Sequence, residues 1–247
     1  MTQLTQIPDE IPDELVFPHL HLLVSGGNSQ LLLLNSFSDW QIIGQTLDDA
    51  AGECFDKIGR MIGFQYPAGV SLAKTAKFND TNYLKLTVGM QGNNQNNKPN
   101  NYNYSFSGLK TAVRYLVQKS TINGIEFEKS LQPEEIKQLI KTEQIGDLES
   151  EKLKFIYQIC CSTQSVVITQ LLNKVERALK NYSIKSIGLS GGVSANLLLR
   201  QKLTELTDIH SIQYLFKPHL KLTGDNAIMI GLAGLSGLYE ENKTILK

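Results

Sequence analysis

The sequence predicts an α/β fold in which helices pack on a sheet that contains parallel strands. Two observations support this prediction. Strand-like stretches at residues 186–189 and 212–216 flank a helical segment, an alternation typical of parallel strands joined by a helix. Farther upstream, HLHLLVSGGNSQLLLL at residues 19–34 contains two apolar runs separated by a glycine turn. The 247 residues, 41% of them hydrophobic, can bury a substantial core.

Composition and charge limit the cellular compartments and the binding partners that we expect for this protein. The formal net charge is +0, from 24 basic and 24 acidic residues, so RNA binding would depend on a local basic patch or on a partner. The three cysteines, Cys54, Cys160 and Cys161, form no Cys-x-x-Cys motif, which favours the reducing cytoplasm. The N-terminus lacks a signal-peptide pattern, and the longest apolar stretch, 227–239, is shorter than the roughly 20 residues of a membrane span. We expect a cytoplasmic protein that makes no membrane contact.

The first half of the chain predicts a meander of strands followed by a helix. Residues 1–18 are acidic and contain prolines, which predicts a linker or tail. From residue 19, two strands extend to about residue 35, and a third is expected at 40–46, giving an antiparallel arrangement. A helix is expected from residue 48, because apolar residues recur at steps of three and four. This stripe consists of Leu47, Ala51, Phe55, Ile58 and Ile62.

The second half predicts mostly helices, then the strand–helix alternation. The polar tract near 91–104 predicts a surface loop, and the charged stretch 133–154 predicts a helical region. A long helix follows, with an apolar stripe of Ile156, Cys160, Val167, Leu171, Val175 and Ala178. After the strand at 186–189, helices are expected at 193–206 and 225–238, on either side of the strand at 212–216.

Two glycine pairs are candidate ligand-binding turns. Gly26 and Gly27 fit either a tight hairpin turn or a loop whose bare amides face an anion. Gly191 and Gly192 stand between a strand and a helix, where they allow either close packing or anion binding at the helix start. Asn196 adds a polar side chain at the same helix start. Neither pair forms the G-x-G-x-x-G pattern of dinucleotide-binding folds.

Several polar residues have both a structural and a functional interpretation. Asp49, Glu53 and Asp56 share one helix face. This face is either solvated, with its negative charge compensated by neighbouring basic residues, or it binds the hydroxyls of a ribose. Asp225 opens the last expected helix, as an N-cap or as a metal ligand.

The two histidines at the start of the first strand form a His-x-His pair. His19 and His21 point to the same face of the strand, but no further ligand is near them in sequence, so we do not expect a metal there. The chain also lacks an H-E-x-x-H motif, which argues against a zinc protease.

Five motifs in order along the chain resemble those of the tRNA adenosine threonylcarbamoyltransferase family, formerly called glycoprotease or O-sialoglycoprotein endopeptidase. The motifs are VSGGNSQL (24–31), DDAAGECFDKIGRMIGFQYPAG (48–69), YSFSGLKTAV (104–113), LSGGVSAN (189–196) and TGDNAIMIG (223–231). They extend over almost the whole chain, from Leu20 to Leu235. The resemblance implies transfer of a threonylcarbamoyl group from threonylcarbamoyl-adenylate to the adenosine 3′ to the anticodon of tRNA.

The resemblance also implies a fold and a set of site residues. The fold is the two-lobed actin-like, sugar-kinase-like ATPase fold, of which residues 19–247 correspond to the C-terminal lobe only. The loop for the phosphate and acyl end of the substrate is Val24, Ser25, Gly26, Gly27 and Asn28. The resemblance implies that Asp56, Gly69 and Asn196 bind the rest of the adenylate. It also implies that Asp225 is a ligand of one divalent metal ion, expected to be iron. No serine or cysteine is expected to act as a covalent nucleophile.

The chain departs from the family pattern in ways that affect the expected activity. The first lobe, its phosphate loop and a metal-binding His-x-x-x-His motif do not occur in this sequence. Asn28 stands where many bacterial members have histidine, and Ala68 stands where glycine is frequent. We therefore expect the chain to be inactive alone, with an incomplete metal site.

The expected partners follow from the same resemblance. They are the substrate, tRNA, a separately encoded first lobe, and the non-catalytic paralogue and P-loop ATPase of the bacterial complex. The alternative is a non-catalytic scaffold that resembles the family's inactive paralogue. A sugar or acetate kinase of the same superfamily matches the motifs less specifically.

Overall fold

A mixed sheet with helices packed on it organises the residues that the computed structural model describes, which are 16–87, 101–119, 121–122, 125–126 and 131–224. Its five strands are β1 (His19–Val24), β2 (Ser29–Leu34), β3 (Trp40–Gln45), β6 (Ser186–Ser190) and β7 (Tyr214–Phe216). They lie in the order β3-β2-β1-β6-β7. The first three pair antiparallel, which confirms the predicted meander.

The helices and the remaining strands follow along the chain. In order they are α1 (Ala51–Met61), α2 (Ala68–Ala76), α3 (Ser107–Lys119), β4 (Thr121–Ile122), β5 (Ile125–Glu126), α4 (Pro133–Lys141), α5 (Glu151–Asn181), β6 (Ser186–Ser190), α6 (Leu197–Ile209) and β7 (Tyr214–Phe216). Strands β4 and β5 form a separate two-stranded hairpin. The predicted helical region at 133–154 is thus divided, with a 3₁₀ turn at Ile145–Asp147 between α4 and α5.

Helix α5 is the central helix of the core. All six residues of its predicted apolar stripe are buried. Its most apolar 18-residue window has a mean hydropathy of 1.2, and 72% of that window is buried inside the protein. The apolar character of this helix therefore follows from its position among α1, α2, α4 and α6.

The parallel part of the sheet confirms the predicted strand–helix alternation. Strand β6 pairs parallel with β1 on one side and with β7 on the other, and Ile187 lies opposite both Leu20 and Leu215. Leu20, Leu22 and Val24 on β1 have no exposed surface. Because β1 and β6 run in the same direction, their carboxyl ends lie side by side.

Three boundaries differ from the sequence-based prediction. Helix α1 begins only at Ala51, and Leu47 precedes it and is 58% exposed. A 3₁₀ turn at Gly192–Ala195 precedes α6, because the Asn196 side chain caps α6 by accepting from the Leu199 amide at 3.0 Å. Strand β7 is limited to its last three predicted residues.

The end of the polar tract is buried. Tyr102 is 3% exposed, and Tyr104 is fully buried and forms a bridge to Thr46 beside β3. The predicted surface loop therefore does not include these tyrosines, because they pack against the core. Residues 91–100 of that tract lie outside the described residues. So do residues 1–15 of the predicted linker and the whole predicted helix at 225–238.

Replacement of Gly44 by alanine should destabilise the fold. Gly44 lies on β3, where an added Cβ would be only 2.3 Å from the carbonyl oxygen of Tyr102. Because that contact is with backbone, we expect the free energy of unfolding to fall by about 2 kcal/mol in urea denaturation. The control is Gly108→Ala in α3, where nothing lies within 4 Å of the added Cβ. Equal stability of the two variants would contradict this packing.

Candidate functional site

A cavity of about 630 Å³ lies beside the ends of the two parallel strands β1 and β6. It is lined by residues from several segments, among them Gly26, Gly52, Asp56, Gly69, Gly192 and Asn196. Both predicted glycine turns therefore contribute to one cavity. In open α/β sheets, ligands bind outside the carboxyl ends of the strands, which is where this cavity is found.

Close backbone approaches at the end of β1 bring the cavity walls together. A Cβ at Gly191 would lie 2.3 Å from the carbonyl oxygen of Val24, and Gly191 has a φ of +88°. A Cβ at Gly52, in the first turn of α1, would lie 2.6 Å from the carbonyl oxygen of Ser25. The Gly52 amide donates to that same oxygen at 3.1 Å. Only glycine allows both approaches, so close packing is one function of these glycines.

The turn after β1 is a tight hairpin turn with internal hydrogen bonds. The Ser25 hydroxyl accepts from the amides of Gly27 at 3.2 Å and Asn28 at 2.9 Å. The Ser25 amide donates to the Asn28 carbonyl at 2.7 Å. The hairpin interpretation is therefore confirmed, and within this loop only Gly26 lines the cavity. Val24 is buried in the core, and an anion would have to compete with Ser25 for the two amides.

Asp56 and Gly69 form one wall of the cavity. Asp56 Oδ1 accepts from the Gly69 amide at 2.7 Å, which joins α1 to the start of α2. A Cβ at Gly69 would lie 3.0 Å from the Cβ of Phe55 and 3.2 Å from Asp56 Oδ1. Among the described residues, no hydrogen bond is formed by the second oxygen of Asp56, which leaves it for a ligand.

The other carboxylates of the predicted acidic face are paired with lysines. Asp49 is 9% exposed and lies 2.7 Å from Lys57 and 2.9 Å from Lys110. Glu53 also pairs with Lys57, at 2.7 Å. Although burial acts to raise it, the pKa of Asp49 is held below its ordinary value by hydrogen bonds and charges from both lysines. The solvated-face interpretation is therefore wrong for Asp49, and compensation by Lys57 is confirmed.

Asp48 is a structurally important residue that sequence reasoning missed. Its carboxylate accepts from the amides of Phe106 at 2.7 Å and Ser107 at 3.1 Å, and from the hydroxyls of Ser105 and Ser107. Burial acts to raise the pKa of Asp48, but these hydrogen bonds keep it below its ordinary value. Asp48 thus caps the start of α3 from a remote segment. The signal for it was weak, since no local pattern joins residues so far apart.

Asn196 is held in a fixed orientation at the edge of the cavity. It is 8% exposed, and its Oδ1 accepts from the amide of Leu199. Its Nδ2 donates to Oε1 of Gln164 on α5, at 2.7 Å. One N–H and one oxygen lone pair remain on this side chain for a ligand. Of the predicted binding residues, the cavity therefore brings together Gly26, Asp56, Gly69 and Asn196.

The His-x-His pair forms a continuous hydrogen-bond chain across the sheet. The Ser186 hydroxyl donates to the Val16 carbonyl, so Nδ1–H of His19 donates to Ser186 Oγ at 2.7 Å. Nε2 of His19 then accepts from Nδ1–H of His21 at 3.2 Å. Nε2 of His21 accepts from the Ser190 hydroxyl at 2.7 Å. With both rings neutral, these partners place a hydrogen on Nδ1 of each histidine and leave Nε2 of each as an acceptor.

The surroundings of the pair favour its neutral form. Burial, together with the charge of His21, lowers the pKa of His19 to about 4, and burial also lowers the pKa of His21. A Cβ at Gly188 would lie 2.3 Å from Nδ1 of His21, so the neighbouring strand leaves no further space. Metal binding here would have to break the hydrogen-bond chain.

The described residues contain no cluster of metal-ligating side chains. They contain no group of three or more His, Cys, Asp or Glu residues that could hold an ion. Asp225 lies outside the described residues, so its predicted role as a metal ligand stays a prediction.

Comparison with known proteins identifies the family. The fold is that of an α/β protein with a cavity at the ends of adjacent parallel strands, the place where open α/β sheets bind ligands. A family model described as tRNA N6-adenosine threonylcarbamoyltransferase matches residues 3–232. The chain therefore belongs to the tRNA N6-adenosine threonylcarbamoyltransferase family.

Individual relatives of the same name agree with this result. The protein from Thermosipho africanus is 36% identical over 217 residues, which are 88% of this chain and 55% of the relative. Those from Limosilactobacillus reuteri and Riemerella anatipestifer are 38% and 37% identical, over 90% and 92% of this chain. This chain corresponds to 55% and 57% of their lengths. It thus spans about half the length of the curated relatives it matches.

Acidification should destabilise the protein through the histidine pair. The pKa of His19 is about 4 in the folded protein, against an ordinary value of 6.5, so the unfolded chain binds protons first as the pH falls. The free energy of unfolding should therefore decrease as the pH is lowered from 6.5 towards about 4. Chemical denaturation at a series of pH values measures this change.

The variant His19→Phe should show a weaker pH dependence over that range, because it removes one of the titrating groups. His219→Gln, at an exposed position, is the control and should behave like the unaltered chain. An unchanged pH dependence in His19→Phe would show that the pair is not its source.

Proposed function

We propose that this chain is the adenylate-binding part of a tRNA N6-adenosine threonylcarbamoyltransferase. The observation that carries the proposal is the single cavity that both glycine turns line together with Asp56, Gly69 and Asn196. Family membership gives the reaction class. In the proposed reaction, the bond between the carbamoyl carbon and the phosphate oxygen breaks, and a bond to the exocyclic nitrogen of the tRNA adenosine forms. That nitrogen loses a proton and adenosine monophosphate leaves.

The proposal gives each cavity residue a binding role. Gly26 and Gly192 have no Cβ, so the phosphate can approach the backbone at both turns. The second oxygen of Asp56 accepts from a ribose hydroxyl, as acidic residues do in dinucleotide folds. Asn196 offers the adenylate its remaining N–H as a donor and its remaining oxygen lone pair as an acceptor. The apolar side chains that suit the flat face of a purine are Phe55, Val70, Phe78, Ile140 and Leu197.

Covalent catalysis by a cysteine is not part of the proposal. All three cysteines are free and buried. Burial raises the pKa of both Cys54 and Cys161 to about 12, so neither thiol is ionised at neutral pH. The residues of this chain therefore bind and orient the substrate.

A divalent metal ion, taken to be iron, belongs to the proposal as an expectation from the resemblance. Such an ion polarises carbonyl and phosphoryl oxygens. The described residues do not form a site for it, and Asp225 lies outside them.

The remaining parts of the enzyme are also proposed. We propose the actin-like, sugar-kinase-like ATPase fold for the whole enzyme, with this chain as its C-terminal lobe, because the chain spans about half the length of its relatives. A first lobe, a non-catalytic paralogue and a P-loop ATPase complete the proposed assembly. With a net charge of +0, this chain is expected to hold tRNA together with those partners in the cytoplasm.

Calorimetric titration with adenosine monophosphate tests the binding role. The unaltered chain should bind this nucleotide, and Asp56→Asn should bind it about tenfold more weakly, because the amide replaces a charged acceptor of the ribose hydroxyl. Asp80→Asn is the control, since Asp80 pairs with Lys202 outside the cavity. Absence of nucleotide binding by the unaltered chain would overturn the proposal and favour a scaffold role.

A reconstituted reaction tests the transfer step. The chain is mixed with the first lobe of a family member, the partner proteins, threonylcarbamoyl-adenylate and unmodified tRNA. Modified adenosine, detected by mass spectrometry of the digested tRNA, is the expected product. Its absence, when a full-length relative is active under the same conditions, would contradict the transferase assignment.

A further inference from the structure

Gln164 on α5 connects two parts of the cavity wall. Its side chain is fully buried, and the residue itself is not part of the cavity lining. Its Oε1 accepts from Nδ2 of Asn196 at 2.7 Å. Its Nε2 donates to the carbonyl of Lys77 at 2.8 Å, with a longer contact of 3.5 Å to the carbonyl of Asn79. One buried amide thus joins the residue before α6 to the turn after α2.

The hydrogen bonds have only one consistent direction. The Leu199 amide must donate, so the atom of Asn196 that faces it is Oδ1 and the atom that faces Gln164 is Nδ2. The Lys77 carbonyl must accept, so the atom of Gln164 that faces it is Nε2. In a flipped Gln164 amide, the NH₂ group would face the NH₂ group of Asn196, and the oxygen would face the carbonyl oxygen of Lys77. Gln164 therefore occupies one N–H of Asn196 and holds that side chain in the orientation that the Leu199 amide requires.

The second wall is a turn that needs support. Lys77 ends α2 with a φ of +50° and a ψ of −121°, a conformation that is rare for a residue with a side chain. Lys77 and the following Phe78 both line the cavity. The hydrogen bond from Gln164 holds the carbonyl of this turn from the core side, so it helps to place both residues.

We propose that Gln164 is a positioning residue for adenylate binding, which acts by orienting Asn196 and by holding the Lys77 turn. This inference rests on the proposed function of the cavity. Gln164 does not touch the ligand; it reduces the freedom of two walls before the ligand arrives. Because a preorganised site loses less free energy on binding, removal of Gln164 should weaken nucleotide binding in addition to lowering the stability of the fold.

The main test compares two buried glutamines of the same helix. Gln164→Met keeps the length of the side chain but makes neither hydrogen bond. Gln170→Met is the matched control, because Gln170 is 3% exposed and donates to the Ser105 carbonyl at 2.9 Å, away from the cavity. Calorimetric titration of the full chain with adenosine monophosphate should show about a tenfold loss of affinity for Gln164→Met and little change for Gln170→Met. Urea denaturation should show that both variants stay folded, with the larger loss of stability in Gln164→Met because it breaks two hydrogen bonds and Gln170→Met breaks one.

A second variant separates positioning from a general effect on the core. In Gln164→Glu, burial raises the pKa of the new carboxyl. The protonated acid can donate to the Lys77 carbonyl and accept from Asn196, whereas the carboxylate cannot donate. Nucleotide affinity relative to the unaltered chain should therefore increase as the pH is lowered. Gln164→Met should show no such recovery.

A measurement without ligand keeps the inference testable if the proposed function fails. In NMR spectra of the free chain, the Asn196 side-chain amide hydrogens should exchange with water faster in Gln164→Met than in the unaltered chain or in Gln170→Met. Failure of the unaltered chain to bind the nucleotide would count against the proposed function, while this exchange rate would still decide the orienting role. Unchanged exchange, or equal loss of affinity in both methionine variants, would overturn the inference.

Discussion

The close approach of three backbone segments at the end of β1 is the constraint on which the rest of the structure depends. The carbonyl of Val24 is in contact with Gly191, and the carbonyl of Ser25 is in contact with Gly52. An added Cβ at either glycine would lie within 2.6 Å of a carbonyl oxygen, a distance that backbone cannot relieve without moving. These contacts place the turn after β1, the start of α1 and the turn after β6 around one cavity.

Hydrogen bonds from neighbouring elements, including the buried helix α5, support this arrangement. Helix α5 is buried along its apolar stripe, and its polar residue Gln164 bonds both to Asn196 and to the Lys77 turn. Asp56 joins α1 to α2 through the Gly69 amide. Each wall of the cavity is therefore fixed by a hydrogen bond from a neighbouring element. A ligand would meet groups that are already oriented, which suits selective binding of a small polar molecule.

Local patterns allowed much of the fold to be predicted, whereas long-range contacts did not follow from them. The stripe of α5, the strands of the meander and the parallel pairing of β6 and β7 follow from periodicity and turn residues. Asp48, Gln164 and Tyr104 escaped prediction, because their partners are distant in sequence. The two glycine turns could be found as candidates, but their common cavity required the three-dimensional arrangement of β1 and β6.

An NMR titration of the ¹⁵N-labelled chain with adenosine monophosphate tests the shared cavity most directly. The amide signals of Gly26 and Gly192 should both shift, and their titration curves should give the same dissociation constant, because both glycines line one cavity. Shifts at only one of the two turns, or two different dissociation constants, would contradict a shared adenylate site.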